Sequence, residues 1–186
     1  MNDLVYIDEY GLLGGEYYWN NHERMNITKD ELLAIGMTGD RVQVHKELVA
    51  PPQAVDRAFQ EKEMRLYLKE GYRPDALYEL AFRKRTEKFG EKDTQRIMNM
   101  TERPHATGRS VDVVPWDPKE NKEISARSNK DEVAALFIDF YKDKTDAESR
   151  RYQALQEFVI ATMLANGFQI GRLKEYFHFN FLTSVQ

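Results

Sequence analysis

The run Arg103-Pro104-His105-Ala106-Thr107-Gly108-Arg109-Ser110-Val111-Asp112-Val113-Val114 holds an imidazole and a carboxylate seven positions apart, with a glycine between them and a valine-rich end. Neutral imidazole nitrogen and carboxylate oxygen are both ordinary ligands of a divalent zinc ion. A loop that ends in a strand can fold back so that His105 and Asp112 converge. A pair at this spacing is also common in polar turns, so it needs a partner elsewhere in the chain. Near the C-terminus, Tyr176-Phe177-His178-Phe179-Asn180-Phe181 sets an imidazole among aromatic residues, with Glu175 three positions before it. Residues three apart on a straight strand point to opposite faces. Joint action of Glu175 and His178 therefore requires a bend or bulge near Tyr176, or Glu175 in the turn before the strand. Bulges are common beside active sites, and one is expected here.

The chain has no cysteine, which excludes disulfides, thiolate metal sites and cysteine nucleophiles. Any metal must be held by nitrogen and oxygen. The four histidines are His22, His45, His105 and His178. His22 and His45 are flanked by polar or charged residues, so both are expected at the surface.

Several elements must position these groups. Leu4, Tyr6 and Tyr17-Tyr18 fit short strands, and Thr28-Lys29-Asp30-Glu31 has the spacing of a capping box. Pro51-Pro52 opens a helix with Ala54, Val55, Ala58 and Phe59 as its apolar stripe. Met64-Arg65-Leu66-Tyr67-Leu68 alternates as a strand does, and Pro74 keeps Arg73 extended at the end of Gly71-Tyr72-Arg73-Pro74. A second helix presents Leu77, Leu80, Ala81 and Thr86 inward, with Arg83-Lys84-Arg85 as a solvated face. Gly90 to Pro104 reads as a loop. From Arg109 to Val114 the chain alternates, with Ser110, Asp112 and Val114 on one face, until Pro115-Trp116-Asp117-Pro118 stops the strand. Thr145-Asp146-Ala147-Glu148 reads as a capping box and Asn166-Gly167 as a stop; between them Leu155, Phe158, Val159, Thr162 and Met163 form one buried helix face. Phe168-Gln169-Ile170 and the final aromatic run are strands. Strands that cluster in hairpin-like pieces favour an α+β fold over a doubly wound one. The expectation is a mostly antiparallel sheet with helices packed on one face and the site on the other.

A chain of 186 residues, 41% hydrophobic, is expected to form one domain with its own core. A net charge of -4 without a block of like charges argues against a nucleic-acid or anionic-membrane partner. Met1-Asn2-Asp3-Leu4 lacks a basic segment followed by an apolar one, so a cytoplasmic location is expected.

In order along the chain stand Tyr72-Arg73-Pro74, His105-x-x-Gly108-x-x-x-Asp112 and Glu175-x-x-His178. Together they resemble the zinc peptidases of the D-alanyl-D-alanine dipeptidase family, relatives of the D,D-carboxypeptidases. The resemblance spans roughly residues 50 to 181 and leaves residues 1–49 uncovered. It implies one zinc ion per chain, held by His105, Asp112 and His178. It also implies Glu175 as catalytic base, Arg73 as helper at the reacting carbonyl, and a small D,D-dipeptide such as D-Ala-D-Ala as substrate. Arg-Pro rather than Arg-Ser at 73–74 favours the dipeptidase branch. Four residues depart from the family pattern: Arg103 replaces a serine, Ser110 an alanine, and Tyr176-Phe177 a pair of tryptophans. Arg103 and Ser110 are thus candidate substrate contacts. Asp131 or Glu132 is the candidate for the acidic residue that holds a dipeptide's ammonium group. The alternatives are a D,D-carboxypeptidase or other cell-wall peptide hydrolase, and a metal-binding relative without activity.

Overall fold

The computed structural model describes residues 3–131 and 133–181. Its first part is built from short pieces. Strand β1 (Leu4–Tyr6), strand β2 (Leu13–Gly14), helix α1 (Tyr17–Asn20) and helix α2 (Lys29–Ala34) precede strand β3 (Gln43–His45). Tyr17-Tyr18, expected on a strand, opens α1 instead, because the Glu16 side chain caps the turn by accepting from the Trp19 N–H. The capping box of α2 forms as expected: Thr28 accepts from the Glu31 N–H, and the Glu31 carboxylate accepts from the Thr28 N–H.

Helix α3 (Ala50–Gln60) begins with prolines in its first turn and buries Val55 and Phe59. Strand β4 (Arg65–Glu70) follows, then the long helix α4 (Asp75–Phe89) and a shorter α5 (Glu91–Ile97). The stretch from Gly90 to Pro104 is therefore not all loop: Thr94 is fully buried and anchors α5. Strand β5 (Ser110–Asp117) runs through Pro115 rather than stopping there. Pro115 has no N–H, but its carbonyl accepts from the Ile124 N–H, which brings strand β6 (Lys122–Glu123) against β5. Helix α6 (Ala147–Ala165) is capped by Asp146, not Thr145, through the Ser149 N–H. It ends at Asn166-Gly167 as expected and feeds strands β7 (Phe168–Ile170) and β8 (His178–Phe181). Of its anticipated face, Val159 and Met163 are fully buried, joined by Tyr152 and Gln156.

The main sheet has the order β2-β4-β5-β8-β7, with β6 beside β5. All its pairings are antiparallel except β2 with β4. A separate antiparallel pair joins β1 and β3. The fold is α+β with a mostly antiparallel sheet. Leu66, Leu68, Val111, Val113 and Phe179 point to one face, where they pack with Val55 and Phe59 of α3 and Val159 and Met163 of α6. A second apolar cluster, not anticipated, joins Tyr18, Leu32, Leu77, Tyr78, Ala81 and Met98 from α1, α2, α4 and the end of α5. Tyr18, Tyr78 and Met98 of this cluster line the cavity described below.

One irregularity matters for function. In the β4–β5 ladder Leu68 pairs with Val113, but Glu70 pairs with Asp112, so Lys69 is an extra residue. A bulge flips the parity of side chains beyond it. Glu70, which regular alternation would place with Leu66 and Leu68 in the core, faces the cavity opposite Asp112 instead.

Candidate metal centre

His105 is the buried residue of a 3-10 turn, Pro104–Thr107, between α5 and β5. Its N–H donates to the Tyr78 hydroxyl at 2.8 Å, and its carbonyl accepts from the Arg73 N–H at 3.1 Å. Gly108, just after, adopts a left-handed φ of 70°. A Cβ there would come within 2.9 Å of the His45 nitrogen, whose N–H donates to the Gly108 carbonyl, so only glycine lets β3 approach the turn. The turn is thus fastened to β3, to α4 and to the Arg73 backbone at once.

Asp112 and His178 are directly paired on β5 and β8. The ligand atoms of His105, Asp112 and His178 all lie within 4.8 Å of one another. The contacts are 3.1 Å from His105 Nε2 to His178 Nδ1, 2.8 Å from His178 Nδ1 to Asp112 Oδ1, and 3.3 Å from His105 Nε2 to the same oxygen. Atoms each about 2.0–2.1 Å from a tetrahedral zinc stand about 3.3 Å apart, so this triangle has the size of one face of such a site. The donor set fits too. His105 Nδ1 lies 2.8 Å from the Gly71 carbonyl, which fixes the proton on Nδ1 and presents Nε2 as an acceptor. Burial works against charge on His105, yet the Asp112 carboxylate overrides it and holds the imidazole's pKa above its ordinary value. Burial likewise opposes charge on Asp112, but the two imidazoles hold it far below the carboxylate range. This donor set, two imidazoles and a carboxylate with their ligand atoms converging, could hold a cation.

The His178 ring rests on Gly171. A Cβ built there would fall 2.1 Å from Cδ2 and 2.9 Å from Nε2 of His178. The Gly171 N–H also donates to the His178 carbonyl. Glycine in the turn after β7 is therefore what lets the second imidazole reach the centre.

Glu175 is buried and lines the same cavity. The expected bulge at Tyr176 is absent. The chain turns at Tyr176-Phe177, and Glu175 lies ahead of β8 in an isolated bridge with Phe137. Hydrogen bonds from Ile138 N–H to Lys174 and from Tyr176 N–H to Leu136 clamp it on both sides. Burial, and then the Asp112 charge, raise its carboxyl to about 7.

Arg73 also lines the cavity and is buried. Glu70 accepts from its Nε and Nη2, both at 2.5 Å, while the rings of Tyr78 and Tyr18 stand 4.5 and 5.1 Å from its guanidinium carbon. Burial disfavours its charge, but Glu70 outweighs that and keeps it firmly protonated. Glu70, Tyr18 and Tyr78 were invisible to sequence reasoning. The only signal was a carboxylate at the end of an alternating strand, where an apolar residue is due.

The candidate substrate contacts are not brought into the cavity. Arg103 is held by Asp75 and Glu79 on α4 and by the Met100 carbonyl. Ser110 is buried between the Pro104 carbonyl and Asn180. Asp131 accepts from the Tyr141 hydroxyl. None of the three lines the cavity. Glu132 lies outside the described residues. His45 is buried rather than at the surface, with Arg109 donating to its Nε2. His22 is half-buried. Of Arg83-Lys84-Arg85 only Arg83 is solvated: Lys84 pairs with Glu31, and Arg85 turns into the cavity.

No family model matches the sequence, and no curated protein is similar to it. Among solved structures the chain is similar to the LdcB LD-carboxypeptidase, in a structure described as revealing the molecular basis of peptidoglycan recognition. Identity is 16% and the TM-score 0.48, over 75% of this chain and 59% of that one. The chain thus spans less than two thirds of that carboxypeptidase, and the likeness assigns no residue a role. No helix among the described residues is long and apolar enough to cross a membrane.

Proposed function

We propose that the protein is a zinc-dependent peptidase acting on a small peptide, with His105, Asp112 and His178 as metal ligands. The observation that carries this reading is the meeting of those three ligand atoms in one cavity with buried Glu175 and Arg73. A structural metal site needs neither of those last two groups. Zinc bound there would make a water acidic near neutral pH and polarise the scissile carbonyl. Glu175, its carboxyl raised to about 7, takes the proton of the attacking water and returns it to the leaving amine. Arg73 has Nε and Nη2 engaged by Glu70, which leaves Nη1 for charge developing on the carbonyl oxygen. Losing such a donor costs on the order of 3 kcal/mol, about a hundredfold in rate.

The resemblance favours a D,D-dipeptide such as D-Ala-D-Ala as substrate. A longer peptide, cut by D,D-carboxypeptidase or wall-peptidase action, is favoured by two observations. The cavity is about 470 Å³, a size that encloses ligands larger than a dipeptide. Asp131, the described candidate for a dipeptide's ammonium group, is engaged by Tyr141 instead.

The deciding experiment incubates zinc-loaded protein with free L,L, L,D and D,D dipeptides and with a muropeptide stem, and measures amine release. Cleavage of free D-Ala-D-Ala supports the dipeptidase, and cleavage of the stem alone rejects it in favour of the longer substrate. No release from any of them rejects the hydrolase and leaves a metal-binding relative.

A further inference from the structure

The cavity carries more positive charge than its own wall neutralises. Three of its cations are matched by carboxylates that also line it: Lys69 with Glu123 at 2.7 Å, Arg73 with Glu70 at 2.5 Å, and Arg172 with Glu102 at 2.9 Å. Arg24, Arg85 and Arg127 also line it without a carboxylate partner among the described residues, and of these three Arg85 stands apart. Its Nε is buried from solvent and makes no hydrogen bond. A guanidinium N–H removed from water without a partner is costly. Five other residues have a buried side-chain atom in the same condition, but among the described residues Arg85 alone of the six also lines the cavity.

Its position is defined by the fold. Arg85 lies two helical turns beyond Tyr78 on α4, so both share the face that looks onto the site. Tyr78 supports His105 from that face. The charge of Arg85 is felt at Glu175 and at Tyr18, on two sides of the cavity. Neutralising it with the protein's own remaining carboxylates would spend Asp112 or Glu175, the metal ligand and the base.

We propose that Arg85 is a substrate-anchoring residue that pairs with the C-terminal carboxylate of the bound peptide. This rests on the peptidase reading, and both a free dipeptide and a longer stem end in that group. Arginine suits it, because its planar fork matches a carboxylate with two parallel hydrogen bonds. The ligand class is therefore a peptide with a free C-terminus, and the corresponding amide is excluded.

Binding is measured by calorimetry on the zinc-loaded full chain carrying Glu175→Gln, so that turnover does not intervene. The ligands are D-Ala-D-Ala and N-acetyl-D-Ala-D-Ala, each as free acid and as C-terminal amide. The free acid of at least one is expected to bind about tenfold to a hundredfold more tightly than its amide, the range of one charge-assisted contact. Adding Arg85→Gln should abolish that difference, Arg85→Lys should restore part of it, and Arg83→Gln on the exposed side of α4 should leave it intact. Thermal unfolding of each variant shows that α4 is retained. Equal binding of acid and amide, a preference that survives Arg85→Gln, or no binding of any of the four would overturn the assignment. Turnover by the unsubstituted protein judges the peptidase reading separately. A carboxylate preference that depends on Arg85 without any turnover would keep this inference and sink that reading.

Discussion

Gly171→Ala should disable the metal centre while sparing the fold. The added Cβ would sit 2.1 Å from His178 Cδ2, whereas ordinary contact begins at 3.4 Å, so ring and turn must separate by about 1.3 Å. Ligand distances in a metal site tolerate only about 0.2 Å, so His178 cannot yield and still share a cation with His105 and Asp112. Loss of one ligand from three should weaken zinc binding about a hundredfold or more, the upper range seen even for outer-shell changes. The strain of overpacking at one site costs about 1–3 kcal/mol, which lowers the unfolding midpoint without removing the folded state. The assay is competition for zinc against a chromophoric chelator, with circular dichroism as the control for folding. Gly39→Ala, where a Cβ meets nothing within 4 Å, is the matched substitution and should change neither quantity. Zinc affinity within a few-fold of the parent in folded Gly171→Ala protein would refute the role of His178 as a ligand.

Further outcomes follow from two buried carboxylates, Glu175 and Glu16. Glu175→Gln should retain zinc and lose about 10²- to 10⁴-fold in turnover, as removal of a general base does. In the parent, activity should fall as pH drops through the Glu175 pKa; that acid limb lies at or below about 7, since a bound cation favours the carboxylate, and a limb that persists unchanged in the residual turnover of Glu175→Gln would exclude Glu175 as its source. Glu16 is raised to about 8 by burial and by the neighbouring Glu70, from an ordinary value of 4.5. The folded state then keeps a proton that the unfolded chain releases, so this group's contribution to stability falls as pH rises from about 4.5 to about 8, at up to about 1.4 kcal/mol per pH unit. Glu16→Gln keeps the acceptor for the Trp19 N–H and should flatten that decline in urea unfolding; an unchanged slope would show that Glu16 is ionised in the folded protein.

Much of the scaffold was legible because its signals are local. The alternation of β4, the prolines opening α3 and the glycine ending α6 each act within a few residues. Helix α5 was hidden because its polar sequence carries no strong period, and tertiary burial of Thr94 decides it. Tyr17-Tyr18 reads as strand by propensity, but a cap from Glu16 wins.

The same division holds at the site. Residue types and spacing singled out His105, Asp112, Glu175 and His178, because metal ligation and proton transfer admit few side chains, while Arg73 and the role of each entered through the resemblance to the dipeptidase family. Spacing could not say which bend brings Glu175 beside His105, Asp112 and His178: a bulge was expected at Tyr176, but the chain turns there ahead of β8, and a separate bulge at Lys69 in β4 turns Glu70 toward Arg73. Nor could it separate Arg85, facing the cavity with an unpartnered nitrogen, from Arg83 in solvent two residues away. Chemistry is a property of residue type and survives in the sequence. Parity across a bulged ladder and the pairing of charges across a cavity are relations between distant segments, and only the folded chain sets them.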